Sequence, residues 1–416
     1  LADLLSVDHA LEQILQSFQS LASESVDLTL ALGRVLAQDI QSSINLPPFP
    51  NSSMDGYAVR AEDTAGASRE NPATLHVTID IPAGKLPDGR IEPQQAARIM
   101  TGALLPDGAD AIIPVEQTDS QWSAGGSDSL PKTVRIFRSV KPDDYVRPVG
   151  EDIHRGQIVL RAGTILRPQD LGVLAALGEA NIPVIRQPRV VIISTGDELV
   201  DASEPLAPGK IRDVNAHTIA GLVSTYGGIP IRLPIARDTL EEVRALFQQA
   251  LAAKPDIIIS SAGVSVGAFD VVRTILDELG KVSFWRVNIR PGKPLAFGQV
   301  SGIPFFGLPG NPVSAMVTFD VFARPALLKM SQRPDTFNTV KAVTAESIQS
   351  DGRRSYLRVK LERENGQLVA RLTGTQSSGA LMSMVLADGL LIVPEDVTSV
   401  PAGTELPVRL LRDLVV

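Results

Sequence analysis

From Pro183 to about residue 330 the chain alternates apolar, strand-like runs with amphipathic helices, and that alternation narrows the fold more than any other feature. Strands are expected at 190–193, 229–233, 256–260 and 303–306, and helices near 216–226, 239–251 and 271–279. In the second helix Leu240, Val243, Leu246, Phe247, Ala250 and Leu251 form one apolar stripe. Strands joined through helices make a mostly parallel sheet, and such sheets bind ligands at the carboxyl ends of their strands.

Those strand ends carry the chemistry. The run Gly307-Leu308-Pro309-Gly310-Asn311-Pro312-Val313-Ser314 turns out of the last strand into a helix, with Asn311 placed as cap and Pro312 at the first helical position. The Val313 and Ser314 amides and the Ser314 hydroxyl are then expected to face an anion, which the backbone dipole favours. A capped junction without a ligand is the alternative. Upstream, Arg290-Pro291-Gly292-Lys293-Pro294 holds two cations on a stiff segment, and residues 260–267, SSAGVSVG, follow another strand. Three such loops at one sheet edge suit a tetrahedral oxyanion.

Composition limits what else the chain can be. Its 416 residues suggest roughly three domains. The absence of cysteine excludes thiolate metal sites and a cysteine nucleophile. The four histidines, His9, His76, His154 and His217, are never closely spaced, so a metal is expected to be a hard cation on carboxylates. A net charge of −8 argues against general nucleic-acid binding, so an anionic substrate must be held by a local basic cluster. With no apolar run of membrane-spanning length and no secretory signal at the start given, we expect a soluble, cytoplasmic protein without membrane contact.

Outside the α/β region, Val7, Leu11, Ile14, Leu15 and Phe18 fall at helical spacing behind Ser6, a packing helix. Short strands at 74–81, 111–115 and 134–138 around a polar tip at 123–129 suggest an inserted β-rich domain. After a linker at 331–334 the chain turns to β structure: Leu357, Val359 and Leu361 alternate with Arg358, Lys360 and Glu362, and Asn365-Gly366 supplies a hairpin turn into 368–372. Four carboxylates, Asp55, Glu198, Asp238 and Asp270, sit in turns or at element ends. Each serves either as a cap or turn residue, or as part of a site in which Mg²⁺ bridges protein oxygens to a substrate phosphate.

Eight ordered motifs carry a resemblance. PPFPNSSMDGYAVR (47–60), RIMTGALLP (98–106), GADAIIPVE (108–116), VRPVGEDI (146–153), STGDEL (194–199), GVSVG (263–267), RPGKP (290–294) and GLPGNPVS (307–314) resemble the molybdopterin molybdenumtransferases, a family that includes the E domain of gephyrin. The resemblance implies a split N-terminal domain at 1–46 and 140–182, an inserted β-rich domain at 47–139, an α/β molybdopterin-binding domain at 183–330, and a small C-terminal β-barrel at 335–416. It implies a homodimer with its site between subunits, and a reaction in which adenylyl-molybdopterin and molybdate, with Mg²⁺, yield molybdenum cofactor and AMP. A molybdopterin adenylyltransferase and apo-molybdoenzymes are the implied partners, upstream and downstream.

By the same resemblance Ser265, Arg290, Lys293, Pro309, Pro312, Ser314, Arg358 and Ser383 match positions that hold molybdate and pterin. Asp55, Thr101, Glu198, Asp238 and Asp270 match catalytic positions, with Asp238 and Asp270 on the metal and Asp55 approaching from the second subunit. Strand alternation alone leaves Arg358 open, either a ligand or a solvent-facing residue. Ala262, Ala268, Val271 and Arg290 depart from the pattern: Ala268 removes a carboxylate and Arg290 replaces a lysine, which leaves room for a preference for tungstate. A chain with these motifs could also act one step earlier, as a molybdopterin adenylyltransferase, or serve as a non-catalytic scaffold.

Overall fold

The computed structural model describes residues 4–120, 129–261, 269–335 and 338–412. Most of the expected tip at 123–129 lies outside them. The chain packs as two compact units, one of residues 38–181 and the other of 1–37 with 182–416. The first 37 residues fall in the larger unit, while Ile40–Gln41 pairs with Ile158–Leu160 and Leu46 bridges to Ile153 within the smaller one.

In the larger unit the first helix, α1 (Val7–Gln16), is capped by Ser6, whose hydroxyl accepts the His9 amide. The α/β region runs β1 (Arg189–Ser194), α2 (Val214–Thr225), β2 (Ile229–Arg232), α3 (Leu240–Ala252), β3 (Ile257–Ser261), α4 (Phe269–Leu279), β4 (Gly280–Arg286), β5 (Ile289–Arg290), β6 (Pro294–Val300), β7 (Ile303–Leu308), α5 (Pro312–Thr318) and, past a π-turn at Phe319–Ala323, α6 (Arg324–Met330). The main sheet has the order β2-β1-β3-β7-β6-β4. Its first four strands are parallel, and β6 and β4 extend it antiparallel.

Both faces of this sheet are covered, which is why its strands are continuously apolar. Val190, Ile192, Ile257, Ile259 and Phe306 face one core with α1, α2 and α5. Val191, Ile193, Ile258 and Phe305 face the other, against Val243, Phe247 and Ala250 of α3 and Ile275 of α4. Phe306 packs between Phe18 (5.9 Å between ring centroids) and Phe297 (5.0 Å).

The C-terminal strands are β8 (Thr339–Thr344), β9 (Arg354–Glu364), β10 (Gln367–Leu372), β11 (Gly389–Val393) and β12 (Glu405–Leu410), with the short helix α7 (Leu381–Val385) before β11. Pairing in the order β9-β10-β8-β12-β11, with β11 back on β9, closes a five-stranded barrel. Asn365 (φ 48°) and Gly366 (φ 82°) make the two-residue turn between β9 and β10, as the Asn-Gly pair predicts. β5 pairs with the start of β9, so the RPGKP segment leaves from the barrel rim. Asp320, on the π-turn, is buried against Arg324 and against Arg409 of β12, joining the α/β layers to the barrel through charge.

In the smaller unit a five-stranded sheet is formed by Ala111–Pro114, Gly56–Val59, Gln95–Ile99, Ala73–Ile81 and Thr133–Ile136, in that order. Gly56 is needed there: an added Cβ would sit 1.9 Å from the Ile113 carbonyl oxygen. Among the described residues no helix is long and apolar enough to cross a membrane.

Replacing a large buried aromatic leaves a cavity that costs about 3–5 kcal/mol. Phe306→Ala is therefore expected to lower the unfolding free energy of the larger unit by about that amount in urea titration.

Candidate functional site

Strands β1, β3 and β7 end in register, Ser194 beside Ser261 and Ser261 beside Leu308. Adjacent strands are about 4.8 Å apart, so the loops beginning at Thr195 and Pro309 leave one sheet edge. Ser265, Ala262 and Ala268 fall in residues 262–268 and lie outside the described residues.

After β7 the chain turns at Pro309, which is buried, and enters α5 with Asn311 in extended cap conformation (φ −69°, ψ 127°) and Pro312 at the first position. Two details differ from the sequence reading. The Asn311 side chain makes no capping hydrogen bond, and the Val313 amide, expected to face an anion, donates to the Ser378 carbonyl at 3.1 Å. Ser314 is buried in the first turn (4% exposed). Asn215 of α2 fixes the turn from behind, its Nδ2 donating to the Gly310 carbonyl at 2.7 Å.

The RPGKP segment seats on the same helix. Gly292 has φ +107°, and an added Cβ would lie 2.6 Å from Thr318 Oγ1 and 3.5 Å from the Ser314 carbonyl oxygen. Glycine here lets the loop approach α5 while holding Arg290 and Lys293 on either side. Arg290 is 3.8 Å from Asp351. Lys293 is exposed and, among the described residues, its ammonium has no partner.

Arg358 completes the cationic cluster from the barrel. It is not solvent-facing: its exposure is 1%. Nε donates to Ser383 Oγ (3.1 Å), and Nη2 to the carbonyls of Ser377 (3.0 Å) and Thr375 (3.4 Å). Nη1 has no acceptor among the described residues. Burial, with the nearby Arg290 charge, lowers the guanidinium to about 10, which leaves it cationic at neutral pH. Arg290 and Ser383 are thus beside Arg358, and the Gly292 turn that carries Arg290 and Lys293 lies against Ser314 and Thr318, a set of donors that suits a tetrahedral dianion.

The acidic residues form a separate group at the β1 end of the edge. Thr195 bridges to Ala236 in parallel, which carries the pairing of β1 and β2 past their ends and sets the two following loops side by side. Asp197 Oδ1 accepts the Asp238 amide at 3.3 Å. Thr239, not Asp238, caps α3, so Asp238 is free of the capping role. Burial pushes the Asp238 carboxyl above the usual aspartate range, the charges of Asp197 and Glu198 add to the rise, and a hydrogen bond from the Asp197 backbone opposes it. Its Oδ1 is buried without a hydrogen bond. The Asp270 backbone lies in α4 and its side chain is outside the described part. Alongside is a polar cleft of about 920 Å³ whose lining includes Asp197, Lys210, Asp213, His217, Arg232 and Arg237. In the smaller unit Asp55 Oδ1 accepts both the amide (2.7 Å) and the hydroxyl (2.8 Å) of Thr101, which joins two residues that come from separate motifs.

Three family profiles match in order: the MoeA N-terminal region (domain I and II) over residues 5–178, a probable molybdopterin binding domain over 191–329, and the MoeA C-terminal region (domain IV) over 341–411. The chain belongs to the MoeA family. Among its curated relatives, molybdopterin molybdenumtransferase 2 of Mycobacterium tuberculosis is 42% identical over 395 residues, covering 92% of this chain and 94% of that protein. The molybdopterin molybdenumtransferase of Bacillus subtilis is 34% identical over 412 residues, covering 98% and 94%. Two solved MoeA structures from Pyrococcus horikoshii align with TM-scores of 0.79 and 0.75 at 35% and 32% identity, covering 99% and 98% of this chain and 100% of each of theirs. In this MoeA chain the cationic cluster draws Arg290, Lys293 and Ser314 from the second matched stretch, and Arg358 and Ser383 from the third.

The sequence reading missed Asn215 and Gln376, which hold site elements through side-chain amides. Neither lies in a periodic run or in one of the eight motifs, so no sequence signal pointed to them.

Gly292→Ala must displace either the loop or Thr318, and should weaken oxyanion binding about tenfold or more in calorimetric titration, equivalent to about 1.4 kcal/mol. Because the folded chain holds the Asp238 proton more tightly than the unfolded chain, ionising it costs stability above the unfolded carboxyl pKa of about 3.9. Asp238→Asn is expected to raise the unfolding free energy at pH 7, with the gain vanishing below about pH 4, where the aspartate is neutral in both states.

Proposed function

We propose that this chain is a molybdopterin molybdenumtransferase, inserting molybdenum from molybdate into adenylyl-molybdopterin and releasing AMP. The observation that carries this reading is the buried Arg358, held on three sides with Nη1 open, in a cluster with Arg290, Lys293, Ser314 and Ser383. An apolar core does not retain a guanidinium without an anion or several acceptors to serve it.

Molybdate is taken as the substrate of the cationic cluster, with Ser265 expected to add a donor. The cations offset its double charge while the two dithiolene sulfurs of the pterin displace oxygens from molybdenum. The phosphoanhydride is cleaved by water or by an oxygen so released, and AMP leaves. The cleft beside Asp197, His217 and Arg232 offers room for part of the adenylylated pterin, and Glu198 and Asp238, each next in the chain to a lining residue, are proposed to act on the phosphate.

Mg²⁺ fits this chemistry. Among the described residues no three His, Asp or Glu side chains group as a metal site on their own. Mg²⁺ needs only one or two carboxylates plus substrate phosphate, and Asp238 offers a buried, unbonded Oδ1 in an acidic surround. Asp238 and the expected Asp270 would hold the ion, which when bound would neutralise charge on the phosphoanhydride. Asp55 and Thr101 are proposed to complete the site across a homodimer, with a molybdopterin adenylyltransferase supplying the substrate and apo-molybdoenzymes receiving the product.

The test is AMP release from protein loaded with adenylyl-molybdopterin, on addition of molybdate, or of tungstate in parallel, with and without Mg²⁺. Release is expected to require both oxyanion and Mg²⁺, and Arg358→Met should slow it about a hundredfold or more at limiting molybdate, as expected for loss of a charge-assisted contact. No oxyanion-dependent release from the unmodified chain would refute the reading.

A further inference from the structure

We propose that Gln376 is a positioning residue of the oxyanion site, acting through Arg358. The inference rests on the reading of the cationic cluster as that site.

Strand β10 ends at Leu372, opposite Val359, so one step further along β9 the ladder has no strand residue to receive the Arg358 backbone on that side. The Thr373 amide takes up the Arg358 carbonyl at 3.0 Å. The Gln376 carboxamide then does what a strand residue would have done. Its Oε1 accepts the Arg358 N–H at 2.9 Å and its Nε2 donates to the Arg358 carbonyl at 3.2 Å, closing a two-point clamp on one residue. The Arg358 carbonyl also has the Thr373 amide and hydroxyl, but the Arg358 N–H has the Gln376 carboxamide as its acceptor, so losing the clamp leaves that buried donor without it.

The same loop holds the other end of Arg358. Thr375 and Ser377, the residues flanking Gln376, supply the two carbonyls on Nη2. Ser378, next in the chain, accepts the Val313 amide just ahead of Ser314. Shifting Gln376 therefore shifts the seat of the guanidinium and the barrel's tie to α5 together. The guanidinium is left with one orientation, in which Nη1 alone is unengaged by the described residues. Gln376 itself has no part in the chemistry; its amide groups are spent on Arg358 and the Gly374 carbonyl.

The experiment is oxyanion binding to the full chain by isothermal titration calorimetry, with molybdate as the probe, alongside AMP release at varied molybdate and at varied adenylyl-molybdopterin. Gln376→Met keeps the side-chain length and removes both hydrogen bonds. It is expected to raise the molybdate dissociation constant and the half-saturating molybdate about tenfold, equivalent to about 1.4 kcal/mol, while leaving half-saturation by the adenylylated pterin within about twofold. Gln376→Glu, which retains the acceptor and loses the donor, should fall between the unmodified chain and the Met variant. A residue that only stabilises the barrel would lower the melting temperature and leave molybdate affinity of the folded protein unchanged, and that result overturns the proposal. If the Met variant does not fold, the Glu variant decides by the same criterion. An unmodified chain that binds no molybdate refutes the site itself, and the inference with it.

Discussion

Keeping a permanent cation almost wholly out of water is the constraint around which the C-terminal half of this chain is arranged. Transfer of a guanidinium into a protein interior costs several kcal/mol unless its donors are paired. The barrel answers with Ser383 on Nε, two loop carbonyls on Nη2 and a glutamine on the backbone, all drawn from residues 375–383. That wrapping requires β10 to stop where it does and the chain to pass over β9 before α7. Because Ser378 also takes the Val313 amide, the loop that satisfies the cation is the loop that fastens the barrel to the start of α5. The Asp320–Arg324–Arg409 group makes a second charged join between the same layers, and the π-turn places Asp320 within it.

Charge is sorted along the sheet edge. The β7 side and the barrel rim carry Arg290, Lys293 and Arg358, while the β1 side carries Asp197, Glu198 and Asp238. The ends of β1 and β7 lie two strand spacings apart, about 10 Å. A substrate with an oxyanion acceptor at one end and a phosphoanhydride at the other needs such a separation, since carboxylates beside the oxyanion would repel it. The raised Asp238 carboxyl reflects the other side of the sorting: three acids share a partly buried corner, and what holds Asp238 down is hydrogen bonding rather than a neighbouring cation. A corner of this kind gives up folding stability to keep its charge.

Much of the scaffold was legible in the amino-acid order. Helix and strand periodicities located β1, α2, β2, α3, β3 and α4 to within a few residues, because each buries a face whose period is set by its own backbone geometry. The Asn-Gly hairpin was equally local, since positive φ at both turn residues selects those types. Strands β4 and β6 were not recognised: they flank a Pro/Gly loop and contain Gly280 and Gly298, which meet neighbouring backbone so closely that a Cβ would fall about 2 Å from a carbonyl oxygen. Nothing in a single strand announces the partner that makes its glycine necessary.

The same division holds in the site. Sequence alone determined that a capped turn, a cationic Pro/Gly loop and a set of acids exist, because residue types and local backbone rules suffice for that, and the ordered motifs named the family. Only the tertiary structure decided which of them face one another. Alternation pointed Arg358 away from the apolar face of β9, and it is buried because a loop from further along the chain returns to cover it. The Val313 amide looked free because its acceptor, Ser378, lies 65 residues later in the chain. Hydrogen-bond partners, burial and the electrostatics that follow from them depend on contacts between segments distant in sequence, and those are set by the packing of the whole unit.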